Sequence, residues 1–252
     1  MVNTILTLVP IYKNELSSFE FYCLKKSLAV LAGRDVRFIG PASLVATYYS
    51  ENFPSIQLLR LKDESFSNIE NYNRLLINIE FYRLFLDYEF LLILQTDAIV
   101  LRDDLSYWCS QPFDHIGAPW PEGYEVHVNS GKFSGANGKN IKVYVGNGGL
   151  SLRRVQKCIS ILNEFHGEIL DFFNSTGSSE DLFFSVMGAL SRDFIIPNEI
   201  TASRFSVEVR PSYYAILNSG SIPMGGHALL KHEPNFWHSI LADFPMHCLA
   251  GN

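Results

Sequence analysis

Residues 90–101 read FLLILQTDAIVL. The apolar run Phe90–Leu94 shows no alternation, the pattern of a strand covered on both faces at the centre of a largely parallel sheet. Gln95 and Thr96 follow, then a carboxylate, Asp97, before the chain turns apolar again. An unpaired buried carboxylate is strongly disfavoured. Hydrogen bonds, a cation or an open pocket mouth must therefore compensate Asp97.

Outward from this stretch, strand-like and helix-like segments alternate. TILTLV (4–9) is a strand stopped by Pro10, and RFIG (37–40) and SIQLLRL (55–61) are the next two. Between the first pair, Glu15–Ala32 carries apolar residues at helical spacing and ends at Gly33. Ile69–Leu86 reads as one long amphipathic helix leading into FLLIL, the fourth strand. This order predicts an α/β fold: a mostly parallel central sheet flanked by helices, in a single domain. DHIGAPW (114–120) is a further strand, and the Gly-, Asn-, Ser- and Lys-rich stretch Pro121–Asn140 reads as a mobile functional loop. VYVGNGGLSLRR (143–154) reads as two short strands around a glycine-rich turn, with helices over 154–165 and 180–190, and short elements at 195–197 and 224–232.

With 252 residues, 47% hydrophobic and 18% charged, the chain can bury the core of one such domain. Its net charge of −6 and lack of a Lys/Arg run argue against a nucleic-acid partner. Cys23, Cys109, Cys158 and Cys248 are scattered with no CxxC pair, the usage of reduced thiols in a cytoplasmic protein. TILTLVPIY is too short to span a bilayer and lacks the flanks of a signal peptide. No stretch reaches transmembrane length, so the expected location is the cytoplasm, with any membrane association peripheral, at the inner face.

Ligands of open α/β sheets bind outside the carboxyl ends of the strands. Tyr12, Gln95–Asp97 and Trp120 all follow such ends and should crowd one rim. Taken alone, Asp97 is more simply a turn residue bonded to backbone N–H groups than a metal ligand. Glu180 and Asp181 follow Ser178 and Ser179 and open a helix, where serine caps and first-turn acids are ordinary; the alternative is a general base at the helix start. His227, in GGHALLKH, has no zinc-like spacing to His232, but beside Asp97 it would form a mixed N/O site suited to Mn²⁺ or Mg²⁺. GNGG (146–149) is either a tight turn or a backbone surface that a sugar or phosphate approaches unhindered. Trp120 is either core or a flat face for a sugar ring.

VPIYKNE, IENYNRLLINIEFYRLFLDYEFLLILQTDAIV, DDLSYWCSQPFDHIGAPW, GNGGLSLR, SEDLFFS and GGHA occur in that order across nearly the whole chain. Together they resemble a poorly characterised family of bacterial sugar-nucleotide-dependent glycosyltransferases with a GT-A-like fold. The resemblance implies a Rossmann-like nucleotide-sugar-binding half, about 1–120, joined to an acceptor-binding and catalytic half, about 121–252. It implies a nucleoside-diphosphate sugar as donor, a glycan or lipid-linked glycan as acceptor, and a place in polysaccharide or glycoconjugate synthesis. QTD stands where such enzymes carry DxD: Asp97 matches the metal-binding acid, and Gln95 replaces the first one. SED resembles the xED motif of inverting members, which makes Asp181 the base with Glu180 beside it, and His227 resembles the histidine that completes the metal site. Donor contacts are implied for Pro10, Ile11, Tyr12, Asn73, Gln95, Thr96, Asp97, Gly148 and Gly149, and sugar or acceptor contacts for Trp120 and Asn147. A sugar-phosphate nucleotidyltransferase would need a glycine- and basic-rich loop after the first strand, and VPIYKNEL has no glycine there. A non-catalytic carbohydrate- or nucleotide-binding protein of the same fold stays open.

Overall fold

Every residue of Phe90–Leu94 is buried, as its unbroken apolar run requires. The computed structural model describes residues 5–176 and 179–241. Its strands are β1 (Ile5–Pro10), β2 (Asp35–Pro41), β3 (Gln57–Leu61), β4 (Phe90–Leu94), β5 (Ile99–Val100), β6 (His115–Val128), β7 (Lys139–Arg154), β8 (Ser206–Val207) and β9 (Gly225–Gly226). The main sheet has the order β3-β2-β1-β4-β7-β6. β3, β2, β1 and β4 are parallel, and β7 runs antiparallel between β4 and β6. All strands of the sheet but β7 therefore point the same way.

Alternation within β1 and β4 divides the core. Leu6, Leu8, Leu91 and Ile93 face one layer with Phe81, Phe85, Phe165 and Phe183. Ile5, Val9, Phe90, Leu92 and Leu94 face the other, with Leu24, Trp108 and Phe205. A Leu91→Ala change would cost about 2–5 kcal/mol by opening a cavity in so dense a layer.

The first helices are α1 (Ser18–Val30), α2 (Thr47–Asn52), α3 (Ile69–Leu76), α4 (Ile79–Arg83) and α5 (Leu105–Ser110). They are followed by α6 (Val155–Glu164), α7 (Ile169–Thr176), α8 (Glu180–Leu190), α9 (Glu199–Phe205), α10 (Pro211–Leu217) and α11 (Pro234–Ile240). α1 starts later than Glu15 because Ser17 and Glu20 form a reciprocal capping box. The expected single helix over 69–86 is two, α3 and α4. Asn78 breaks it, its side chain accepting from Glu80 N at 2.9 Å to cap a new helix start.

The expected mobile loop over 121–140 is a second correction. β6 continues to Val128 and pairs with β7 from Lys139 onward, so the two strands form one long ribbon. Its tip is fastened to the body: Lys132 N donates to Glu168 Oε1 at 3.0 Å, and Lys132 Nζ lies 4.0 Å from the Phe165 ring centroid. GNGG is likewise no turn but part of the continuous β7, opposite register shifts in β6.

The second sheet, β5-β9-β8, is short but positions the chemistry. β5 leaves the QTD turn and pairs antiparallel with β9, Ile99 opposite Gly226. β8 pairs parallel with β9, Val207 opposite Gly226. Asp97, His227 and Glu208 are thereby delivered to one place from three distant segments. Cys23, Cys109 and Cys158 are free and buried, and Cys248 lies outside the described residues. Among the described residues no helix is long and apolar enough to cross a membrane.

Candidate functional site

A cleft of about 430 Å³ opens at the carboxyl ends of β1 and β4. Of the residues assigned to a donor, Pro10, Tyr12, Asn73, Gln95, Thr96 and Asp97 line it, joined by Lys13, Glu20 and Tyr72. Ile11 does not: it is buried in the core, and its N–H donates to Ile39 O at 2.8 Å. Alternation after Pro10 turns Ile11 inward as it turns Tyr12 outward. A larger cavity of about 550 Å³, between β7, α8 and residues 194–199, carries none of the predicted site residues.

Asp97 sits at the cleft with its side chain 43% exposed, 3.2 Å from His227 Nε2 through Oδ1. On the other side of the ring, His227 Nδ1 lies 2.8 Å from Glu208 Oε2. Burial alone would lower the imidazole, but its hydrogen bonds to Asp97 and then Glu208 push it up to about 10. Burial raises the Asp97 carboxyl, but His227, a backbone N–H and Lys13 together outweigh it and hold the group below its ordinary range. His227 is thus held between the side chains of Asp97 and Glu208, an arrangement that favours the charged form of its ring. Glu208 carries no sequence signal beyond being an acid directly after the two-residue β8.

This donor set fits a divalent ion. A carboxylate oxygen and an imidazole nitrogen converge, and Glu208 would be the outer carboxylate orienting that histidine if an ion were bound. Among the described residues no group of three His, Cys, Asp or Glu side chains is arranged to hold an ion by itself. The remaining positions would fall to oxygens of a bound ligand. Binding would displace the shared proton, so acid would oppose it.

Asp181 lies on the far side of the glycine strand. Gln95 N donates to Gly149 O at 2.9 Å, and Gly148 N donates to Asp181 Oδ2 at 3.3 Å, so two residues of β7 separate QTD from the carboxylate. Leu182 N and the Ser179 hydroxyl both donate to Asp181 Oδ1. Ser179 thus serves Asp181 rather than capping α8, and Ser178 lies outside the described residues.

Glu180 turns the other way, which corrects its assignment beside the base. It is buried, and its Oε1 accepts from Arg153 Nη2 at 2.8 Å. Arg153 is wholly buried and also donates to Tyr82 Oη and Ser151 Oγ. Burial pushes the Glu180 carboxyl up, against the pull of Arg153. Glu180 is a structural partner of Arg153, with no opening to the cleft.

The glycines of GNGG make room for side chains, not for a sugar. A Cβ on Gly149 would strike the His227 ring, and one on Gly146 would strike Trp120 and Ser185. At Gly148 the space is filled by Glu180, 2.8 Å from where that Cβ would stand. Trp120 is buried too, its indole N–H donating to Asn147 Oδ1 at 2.9 Å. It is therefore a packing residue and not a sugar platform. Tyr124, set edge-on to Trp120 and 51% exposed, is the aromatic that faces outward there.

Residues 55–227 match the family described as Protein of unknown function (DUF5672). The chain belongs to that family. No curated protein matches it in sequence. Among solved structures it is similar to the galactosyltransferase LgtC in complex with donor and acceptor sugar analogs, with TM-score 0.55, 16% identity, and coverage of 88% of this chain and 86% of that one. It is also similar to mouse xyloside xylosyltransferase 1, with TM-score 0.53, 10% identity, and coverage of 90% and 98%. At these identities the likeness establishes the fold, a GT-A glycosyltransferase fold in a single domain.

Proposed function

We propose that this DUF5672 chain is a glycosyltransferase that moves a sugar, with inversion, from a nucleoside-diphosphate sugar to a hydroxyl of a glycan or lipid-linked glycan. The observation that carries the reading is the cleft at the ends of β1 and β4, with Asp97 on its rim held by His227 and Glu208. Support comes from the shared fold of LgtC, whose complex contains donor and acceptor sugar analogs. The first half, about 1–120, would hold the nucleotide, and the second, about 121–252, the acceptor. Surface polysaccharide or glycoconjugate synthesis from a cytoplasmic donor is the setting such a reaction suits.

Tyr12, 57% exposed beside Pro10 and Asn73, offers its ring to the nucleobase. The diphosphate then extends towards Gln95–Asp97. Asp181 accepts the proton of the acceptor hydroxyl as that oxygen attacks the anomeric carbon. The bond from this carbon to the diphosphate oxygen breaks, and its electron pair leaves with the nucleoside diphosphate. A Mn²⁺ or Mg²⁺ ion on Asp97 and His227, when bound, would supply Lewis-acid stabilisation of that leaving group.

Incubating the protein with a panel of nucleoside-diphosphate sugars, with and without Mn²⁺, tests the reading through donor consumption and the anomeric configuration of the product. Failure of every nucleoside diphosphate to raise the melting temperature, together with no donor consumption, would sink it.

A further inference from the structure

Lys13, in the VPIYKNE stretch, is the only cationic side chain among the described residues lining the cleft. Its place is built rather than incidental. Tyr49, a buried residue, donates its hydroxyl to Lys13 O at 2.8 Å and so fixes the backbone. The ammonium, on a side chain 49% exposed, reaches Glu20 Oε1 at 2.9 Å. Glu20 is itself immobilised: Ser17 N donates to Oε2 at 3.0 Å, Ser17 Oγ to the same oxygen at 2.8 Å, and Thr96 Oγ1 to Oε1 at 2.9 Å.

Three donors thus satisfy Glu20 without Lys13, so the carboxylate does not need the lysine to be buried. The lysine, in contrast, uses one of its three N–H donors on Glu20. The other two are available to the cleft that Gln95 and Asp97 border. Thr96 ties the two features together, since it links the QTD turn to the carboxylate that tethers the lysine. The chemistry of the rim fits as well. Gln95 brings no negative charge where an acid would repel an anion, and Lys13 adds a positive one. Pre-positioned ammonium groups stabilise charge that develops on phosphate oxygens without reorganising.

We propose that Lys13, held by Glu20, binds the diphosphate of the nucleotide directly and carries part of the charge compensation otherwise left to a metal ion. This deepens the glycosyltransferase reading and rests on its donor site. Lys13 would touch the substrate, whereas Glu20 is a positioning residue.

Isothermal titration with inorganic pyrophosphate, UDP, GDP, uridine and guanosine, each in EDTA and in Mn²⁺, tests it on the wild type, Lys13→Met, Lys13→Arg and Glu20→Gln. Wild type should bind pyrophosphate and a nucleoside diphosphate in EDTA, more weakly as salt rises. Lys13→Met should weaken both by about tenfold or more, leave nucleoside binding unchanged, and melt like wild type. Lys13→Arg should recover most of the loss, and Glu20→Gln should fall between. Equal affinity of Lys13→Met and wild type for diphosphates overturns the inference and leaves the donor site standing. No binding of any nucleoside diphosphate to wild type in either buffer overturns the donor site, and the inference with it.

Discussion

Arg153 pairs with one acid and His227 lies between two, and the two groups differ in one respect that decides their use. Arg153 and Glu180 are both buried and meet at 2.8 Å among aromatic rings. His227 lies between Glu208, also buried, and Asp97, which opens onto the cleft. The sealed pair locks β7 against α8; the open one can exchange its proton for a ligand. Charge alone does not mark a site, and one exposed oxygen changes what the same arrangement does. Glu180 belongs to the sealed pair, whereas Asp181, adjacent in sequence, turns to Gly148 N and the Ser179 hydroxyl at the start of α8.

The sharpest test of that division lies between those neighbours. Asp181→Asn should reduce turnover by about 10²–10⁴-fold while leaving nucleotide binding and melting temperature close to wild type, as expected for loss of a general base. Glu180→Ala should instead act on stability, by about 3–5 kcal/mol in urea unfolding, because it strands the Arg153 charge in the core. A stable Glu180→Ala protein with no turnover would erase the contrast.

His227→Ala should remove about 1.5–3 kcal/mol near pH 6, the range for hydrogen bonds to charged groups. Its folded pKa, about 10, lies above the unfolded value of 6.5, so its contribution is fully present below the latter. The melting-temperature gap to wild type should therefore narrow as pH rises through about 10. A gap independent of pH would mean that the ring only fills space. Trp120→Phe is the mildest change: losing the bond to Asn147 should cost about 1 kcal/mol with the KM for any acceptor unchanged. A rise in that KM at constant stability would restore Trp120 to the sugar site.

The parts of this picture legible in the sequence are those written in local pattern. FLLIL announced a strand covered on both faces, and the strand ends placed Tyr12 and Gln95–Asp97 on one rim. The Asp97–His227 pair was reached through a motif resemblance, and the structure brings the two side chains together. Glu208 was out of reach because it arrives through the pairing of β8 with β9, two residues each, too short to leave a period. The break at Asn78 hides because apolar residues continue on both sides of it. The glycines and asparagines give the ribbon the composition of a loop, although Tyr124, Val126 and Val128 alternate as a strand does. The glycines of β7 misled differently: the side chains filling their space come from residues 120, 180, 185 and 227, and no local pattern encodes that.

The fastened tip of the β6–β7 ribbon has a consequence for fidelity. A transferase must keep water from its activated sugar, and many do so by folding a flap over the bound donor. Here that stretch is paired into the ribbon and held by Lys132 against Glu168 and Phe165, an arrangement that argues against its serving as the flap. On the proposed function, exclusion of water falls to the incoming acceptor, and slow hydrolysis of the donor in its absence is the side reaction to expect.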